Sequence, residues 1–249
     1  MITNLESLFF SSDFYCLVTF YARYMRKIVQ IEDLIKKYFP NLKLSLQQIN
    51  LFVDYFDLLT KWNKKINLTA IQDPSEMISK HLLDTLAVFN LIDRYKDNSI
   101  FNGKVIDFGS GAGIPGILLA ISSPSLNLVS IDKSGKKIAF QQEVIRRLKL
   151  NNVKPLNERL EKLMDLPDYK NTFSLIITRA FDQIKQILYL GERFLDKSGK
   201  LILWKGQNWL QEYKQVDDKY KNTFDLVGDY RYHFEEYDRG GTLLLFRKK

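Results

Sequence analysis

The sequence predicts an α/β protein: a seven-stranded, mostly parallel sheet with helices on both faces, preceded by a helical extension. Three observations predict it. From residue 104 onward, short apolar runs alternate with amphipathic stretches, the pattern of strands joined by helices. The first of these runs leads into 104–116, KVIDFGSGAGIPG, where glycines at 109, 111, 113 and 116 mark a tight turn between a strand and a helix. The chain closes with two strand-like runs, 224–234 and 242–247, separated by a polar turn ending Arg239-Gly240-Gly241. That hairpin argues for an antiparallel last strand.

Residues 1–24 carry apolar and aromatic runs at 8–10 and 14–21, with no basic residue before them and no small-residue cleavage site after them. The runs are too short and too often broken by polar residues to span a bilayer. Two readings stay open: a loosely packed extension or upstream start, and a segment that docks on a membrane surface or partner. A helical region spans 25–98. Ile28, Ile31, Leu34, Ile35 and Phe39 recur at helical spacing up to Pro40. Ser45 then reads as the N-cap of a helix over 47–62, whose Ile49, Phe52, Val53, Phe56, Leu59 and Trp62 form one apolar stripe. The stretch 61–69, KWNKKINLT, reads either as a solvated helix end with a turn or as part of an RNA-facing surface. Asp73-Pro74-Ser75 opens a third helix, on which His81 and Asp84 lie three apart and share a side. Two ligands are too few for a metal site, so a buried or groove-lining polar pair is expected.

The core spans 99–249, forming one compact unit with the helical region. Strands are predicted at 104–108, 127–132, 153–157, 174–178 and 200–205, and helices at about 114–122, 134–149, 183–195 and 208–221. The chain is basic, with a net charge of +8, which suits a polyanionic partner. Its one cysteine, Cys16, excludes an intrachain disulfide and a cysteine-based zinc cluster, and suits a reducing cytoplasm.

The glycine loop belongs to a nucleotide-type cofactor, because its backbone N–H groups and the following helix N-terminus can approach a ligand closely. Gly111-x-Gly113-x-x-Gly116 matches the dinucleotide fingerprint, but the fuller pattern is Asp107-x-Gly109-x-Gly111-x-Gly113. It resembles motif I of the Rossmann-like S-adenosylmethionine (SAM) methyltransferases, whose cationic ligand a carboxylate favours and whose place a pyrophosphate would not fill. Asp132, at the end of the second strand, offers two acceptor oxygens to a ribose diol; the plainer alternative is a helix N-cap.

Beyond motif I, the chain resembles the glucose-inhibited division protein B family, the RsmG-type methyltransferases. The resemblance rests on KWNKKINLT at 61–69, HLLD at 81–84, DFGSGAGIPG at 107–116, ERLE at 158–161, TRAF at 178–181 and LWKGQ at 203–207. It runs from about residue 28 to the C-terminus. It implies a cytoplasmic, SAM-dependent enzyme that methylates N7 of one guanine in 16S ribosomal RNA of the small subunit. It further implies no DNA partner, no metal, no stable membrane association and a monomeric enzyme. Carried over by position, Gly109, Gly111, Gly113 and Ile114 would line the methionine and ribose of SAM. Asp132 would hold the ribose hydroxyls, Lys133 and Ser134 would lie beside the adenine, and Leu160 and Glu161 would contact it. Arg179 would stand at the cofactor's edge, and Arg159 and Lys205 would position the RNA or target guanine. These three cations fall next to the ends of strands three, four and five, where an open α/β sheet binds its ligands. Lys136, Lys137, Arg146 and Arg147 are either phosphate contacts or ordinary surface charge.

Rival classes are pruned by what is missing. A cytosine-C5 methylase needs a nucleophilic cysteine in its fold, and an adenine-N6 methylase would be expected to carry an Asn/Asp-Pro-Pro-aromatic run where this chain reads Thr178-Arg179-Ala180-Phe181. A small-molecule methyltransferase, a SAM-holding ribosome-assembly binder and an NAD-dependent oxidoreductase remain as alternatives at this stage.

Overall fold

A computed structural model describes residues 12–249, with side chains from residue 18 onward. The run at 8–10 and the Cys16 side chain lie outside the described residues. Three helices come first: α1 (Ser12–Tyr38), α2 (Leu46–Ile66) and α3 (Pro74–Tyr95). The α1 helix runs through Met25 without a break, longer than the apolar spacing predicts, because no glycine or proline interrupts the chain between Ser12 and Tyr38. It stops short of Pro40, as the restriction on a residue before proline requires. Ser45 caps α2 in a reciprocal box: its hydroxyl accepts from the Gln48 amide N–H at 3.2 Å, and its own N–H donates to Gln48 Oε1 at 3.0 Å. Asp73 caps α3 from one side, its Oδ1 accepting from the Glu76 N–H at 2.8 Å, with Pro74 in the first turn.

The α/β core follows as β1 (Lys104–Phe108), α4 (Gly116–Ser122), β2 (Asn127–Asp132), α5 (Gly135–Leu148), β3 (Val153–Asn157), α6 (Leu160–Leu163), β4 (Phe173–Arg179), α7 (Ile184–Phe194), β5 (Leu195–Lys205), α8 (Trp209–Lys214), α9 (Asp218–Thr223), β6 (Phe224–Phe234) and β7 (Arg239–Lys248). The seven strands lie in the order β3-β2-β1-β4-β5-β7-β6. The first five are parallel, and β7 inserts antiparallel between β5 and β6. The predicted architecture, including the closing hairpin, is therefore present.

Strand alternation sorts the core into two layers. Val105, Leu175, Ile177, Ile202, Leu243 and Leu245 face one side and pack with α1 to α5. Ile106, Phe108, Ile176, Leu201, Leu203 and Leu244 face the other and pack with α6 to α9. The helical region thus shares a continuous core with the sheet.

Local details depart from expectation for identifiable reasons. The helix predicted over 208–221 is two, because Val216 dips into the core and Asp217 starts α9 afresh. The predicted turn ends earlier, at Asp238, and Arg239-Gly240-Gly241 already belongs to β7. A Cβ at Gly240 would meet the Tyr232 carbonyl oxygen at 2.8 Å, and one at Gly241 would meet the Tyr232 hydroxyl at 2.7 Å. Glycine is what lets β7 pass Tyr232.

Candidate active site

Strands β1 to β5 end on the same side of the sheet, and the residues that follow them form the site. After β1 the loop turns with Gly109, Gly111 and Gly113 at φ of 63°, 58° and 81°, a region that L side chains avoid. At Gly109 a Cβ would also collide with the ring of Phe181, so the loop and the chain after β4 are pressed together.

Several buried side chains hold this loop. Gln141 of α5 is fully buried and donates to Ser110 Oγ and the Gly111 carbonyl, each at 2.8 Å, while accepting from Ser130 Oγ at 2.7 Å. Tyr55 of α2 donates to the Ala112 carbonyl at 2.8 Å, and burial pushes its hydroxyl pKa up. Asp107 lies under the loop rather than in the cavity: its Oδ2 accepts the Gly116 N–H at 3.1 Å, and its buried Oδ1 has no partner. Burial raises its carboxyl pKa well above the usual range. The expected electrostatic role of Asp107 toward a cationic ligand is therefore not a direct wall contact.

Asp132 is not the helix N-cap, which is Ser134; its Oδ1 accepts from the Ser134 N–H at 2.8 Å and its Oδ2 accepts from the Gly111 N–H at 2.9 Å, so it ties the end of β2 to the glycine loop. Each carboxylate oxygen keeps acceptor capacity for a hydroxyl. A cavity of about 330 Å³ opens beside it, lined by Gly109, Ile131, Asp132, Lys133, Ser134 and Lys137 from one side. Glu158, Arg159, Leu160, Glu161, Ala180, Phe181 and Asp182 line the other. Of the expected cofactor residues, Gly109, Asp132, Lys133, Ser134, Leu160 and Glu161 meet here; Arg159 joins them. Gly111, Gly113, Ile114 and Arg179 do not line this cavity, the first two acting through the loop's backbone.

The residue at the hinge is Ala180, a non-glycine at φ 54°. It lines both the first cavity and a second one, of about 340 Å³, whose walls include Asp84, Arg179, Trp204, Lys205, Gly206, Glu212, Tyr232 and Arg239. A third, larger trough of about 710 Å³ continues along the hairpin past Arg231, His233 and Arg239.

The second cavity stands on a buried charge cluster. Asp84 Oδ2 pairs with Arg179 at 3.3 Å and with Arg239, whose Nε donates at 2.8 Å; Asp84 Oδ1 accepts from the Tyr232 hydroxyl at 3.1 Å. Trp204 Nε1 donates to the Asp84 carbonyl at 2.6 Å. Arg179 also donates to His81 Nδ1 at 3.3 Å, which places the ring proton on Nε2, and this nitrogen donates to Thr69 Oγ1 at 2.9 Å. Burial first, then Arg179 and Arg239, push the His81 pKa down to about 3. One guanidinium nitrogen of Arg179, Nη1, is buried without a partner. His81 and Asp84 are thus a buried polar pair, as expected, but their task is to hold Arg179. Among the described residues, no group of three or more His, Cys, Asp or Glu is placed to hold a metal ion.

KWNKKINLT is also explained. Asn63 is buried and exchanges hydrogen bonds with the Thr69 backbone, which carries Thr69 to His81. Lys61, Lys64 and Lys65 are exposed, outward charges on the end of α2. Lys205 is tied down: its ammonium donates to Glu212 Oε2 at 2.7 Å and to the Asp182 carbonyl at 2.6 Å. Arg146 and Arg147 both pair with Glu143 on exposed α5.

Sequence reasoning missed Tyr55, Gln141, Glu212, Tyr232 and Arg239. A signal existed for two of them. Tyr55 and Gln141 sit on otherwise apolar helical stripes, where a polar atom is kept only if something inside the protein needs it.

The first cavity suits SAM. It joins apolar walls at Ile131, Leu160 and Phe181 to a carboxylate acceptor at Asp132, with Gly109 of the glycine turn lining it between them. The buried, unpartnered donor of Arg179 beside it suits the carboxylate end of an amino-acid moiety.

Comparison with known proteins places the chain in a family and a fold. A family model for GidB, described as rRNA small subunit methyltransferase G, matches residues 48–234. A ribosomal RNA small subunit methyltransferase G of Colwellia psychrerythraea is 36% identical over 209 residues, covering 80% of this chain and 93% of that one. Proteins of the same name from Francisella tularensis and Legionella pneumophila are each 40% identical, over 161 and 158 residues, covering 65% and 64% of this chain and 72% and 70% of theirs. Among solved structures, a candidate SAM-dependent methyltransferase of Methanococcus maripaludis superimposes with a TM-score of 0.51 at 19% identity, covering 70% of this chain and 90% of that one. MtNAS in complex with MTA and tNA gives a TM-score of 0.54 at 11% identity, covering 81% of this chain and 76% of that one. At these identities the two structures speak for the fold.

Proposed function

The chain belongs to the GidB family of small-subunit ribosomal RNA methyltransferases, and from that premise we propose that it methylates N7 of a single guanine in 16S ribosomal RNA, using SAM. The observation that carries the reading is the pair of cavities that share Ala180, one lined by Gly109, Asp132 and Leu160 and the next walled by Arg179, Lys205 and Arg239.

When bound, SAM supplies an electrophilic methyl group on a sulfonium. Asp132 would accept from the ribose hydroxyls, Leu160 and Glu161 would flank the adenine with Lys133 and Ser134, and the turn at Gly109, Gly111, Gly113 and Ile114 would carry the methionine portion. Arg179, held rigid by Asp84 and His81, would meet the cofactor's edge with its free donor. Guanine N7 has an in-plane lone pair and no proton to lose, so no general base is needed. The protein's work is alignment and exclusion of water. A base reached in this way is splayed out of its strand. Arg159 at the mouth of the first cavity and Lys205 in the second would position the RNA and base, and the trough past Arg231 and Arg239 offers its continuing strand a cationic path.

Within the same reading, the enzyme acts in the cytoplasm as a monomer, without DNA and without a stable membrane attachment. Among the described residues, no helix is long and apolar enough to cross a membrane.

The test is transfer from labelled SAM to small ribosomal subunits that lack the modification, followed by nucleoside analysis. Label in 7-methylguanosine is the expected result. Tight SAM binding with no label in RNA would return the small-molecule enzyme or the assembly binder.

A further inference from the structure

We propose that Glu212 is the residue that selects guanine over other purines, by accepting from the N1–H and 2-amino donors of the target base in the cavity beside Ala180. This rests on the guanine-methylating reading above and names how that site recognises its base.

Two carboxylates line the second cavity, Asp84 and Glu212. Asp84 is spent: Oδ1 takes the Tyr232 hydroxyl and Oδ2 takes both Arg179 and Arg239. Glu212 is half spent. Its Oε2 accepts from the Lys205 ammonium at 2.7 Å and from the Ile184 N–H at 3.2 Å, while Oε1 accepts from no group among the described residues. Those two contacts fix the carboxylate's position on α8, which follows the strand end carrying Lys205. The side chain keeps 31% of its surface exposed and lines the second cavity.

The chemistry of the base makes this vacancy selective. Guanine presents N1–H and a 2-amino group along its Watson–Crick edge; adenine presents an acceptor at N1 and no 2-amino group. A carboxylate held by an ammonium accepts hydrogen bonds and does not donate, so it rewards the first edge and opposes the second. An extruded base is read on this edge when its other edge is turned to the chemistry. Guanine satisfies that geometry, because N7 and the 2-amino group lie on opposite sides of the ring system. The cavity of about 340 Å³ has room for a purine.

On this account Lys205 is a positioning residue. It acts by setting Glu212, and its ammonium is already shared between Glu212 and the Asp182 carbonyl.

The experiment is a cycle of enzyme and base. Small-subunit RNA is prepared with guanosine or with inosine at the methylated position; inosine keeps N7, O6 and N1–H and lacks only the 2-amino group. Wild-type, Glu212→Ala and Glu212→Gln enzymes are compared by kcat/KM, with SAM affinity measured separately by calorimetry. The wild type is expected to prefer guanosine by about 10- to 100-fold. Both variants should lose most of that preference and most of the activity on guanosine while SAM affinity stays within about 3-fold. In Glu212→Gln the amide oxygen stays with Lys205 and the Ile184 N–H, so the NH2 group takes the place of Oε1 and opposes the base. If the guanosine preference of either folded variant matches wild type, the proposal is overturned. If Glu212→Ala does not fold, the near-isosteric Glu212→Gln carries the test alone. Failure of the wild type to methylate guanosine-containing RNA is a different outcome, and it overturns the parent reading along with this one.

Discussion

Replacing Asp84 with asparagine tests the charge cluster most directly. The side chain is 2% exposed and serves Arg179, Arg239 and Tyr232 together. Asparagine keeps the volume and one acceptor oxygen but removes the charge, leaving two half-buried guanidinium groups facing each other. Breaking a buried ion pair from one side costs about 3–5 kcal/mol, and here the lost partner serves two cations, so ~4 kcal/mol is the expectation. For a chain of this length that corresponds to a fall in Tm of about 8–16 °C. Urea unfolding and thermal melts of wild type and Asp84→Asn read it directly. The second arm separates stability from chemistry. Asp84→Leu combined with Arg179→Met and Arg239→Leu removes every charge of the cluster at once; it should recover most of the lost stability and show no methyl transfer. A stability loss below about 1 kcal/mol in Asp84→Asn would refute the strut role. An active triple variant would refute the placing of the guanidinium groups at the site.

Two other outcomes follow from the same geometry. His81 stays neutral in the folded protein, its pKa pushed down to about 3, while in the unfolded chain it titrates near 6.5. As pH falls, the unfolded state takes up the proton first, so the contribution is complete above about pH 7 and is lost from 6.5 downward, by about 3 kcal/mol at pH 4.5. Asp107, its pKa raised by burial, works in the opposite direction, so the readout is the difference between wild type and His81→Gln; parallel stability–pH curves would remove the claim. Asp132→Ala should weaken SAM binding at least ~100-fold, because it removes the ribose acceptors and frees the Gly111 and Ser134 N–H groups. Unchanged affinity by calorimetry would take Asp132 out of the ribose site.

The sequence by itself determined the sheet, the glycine loop and the order of strand ends. Each is written in local signals: period-two apolar runs, glycines where φ must be positive, and caps such as Ser45 and Asp73. The five-strand core and the closing hairpin were legible for that reason, as was the convergence of Asp132, Leu160 and Glu161 on one cavity, since strand ends in a parallel sheet point one way. What tertiary structure alone decided was which charges are free. Arg179 and Lys205 look equivalent in the sequence, each at the end of a strand. Folding sets Arg179 between Asp84, 95 residues earlier, and His81, and it sets Lys205 on Glu212. Such pairings join residues from α3, β7 and α8 that share no spacing rule, because the energy of a buried charge depends on what surrounds it in space, and the chain's local pattern carries no record of that.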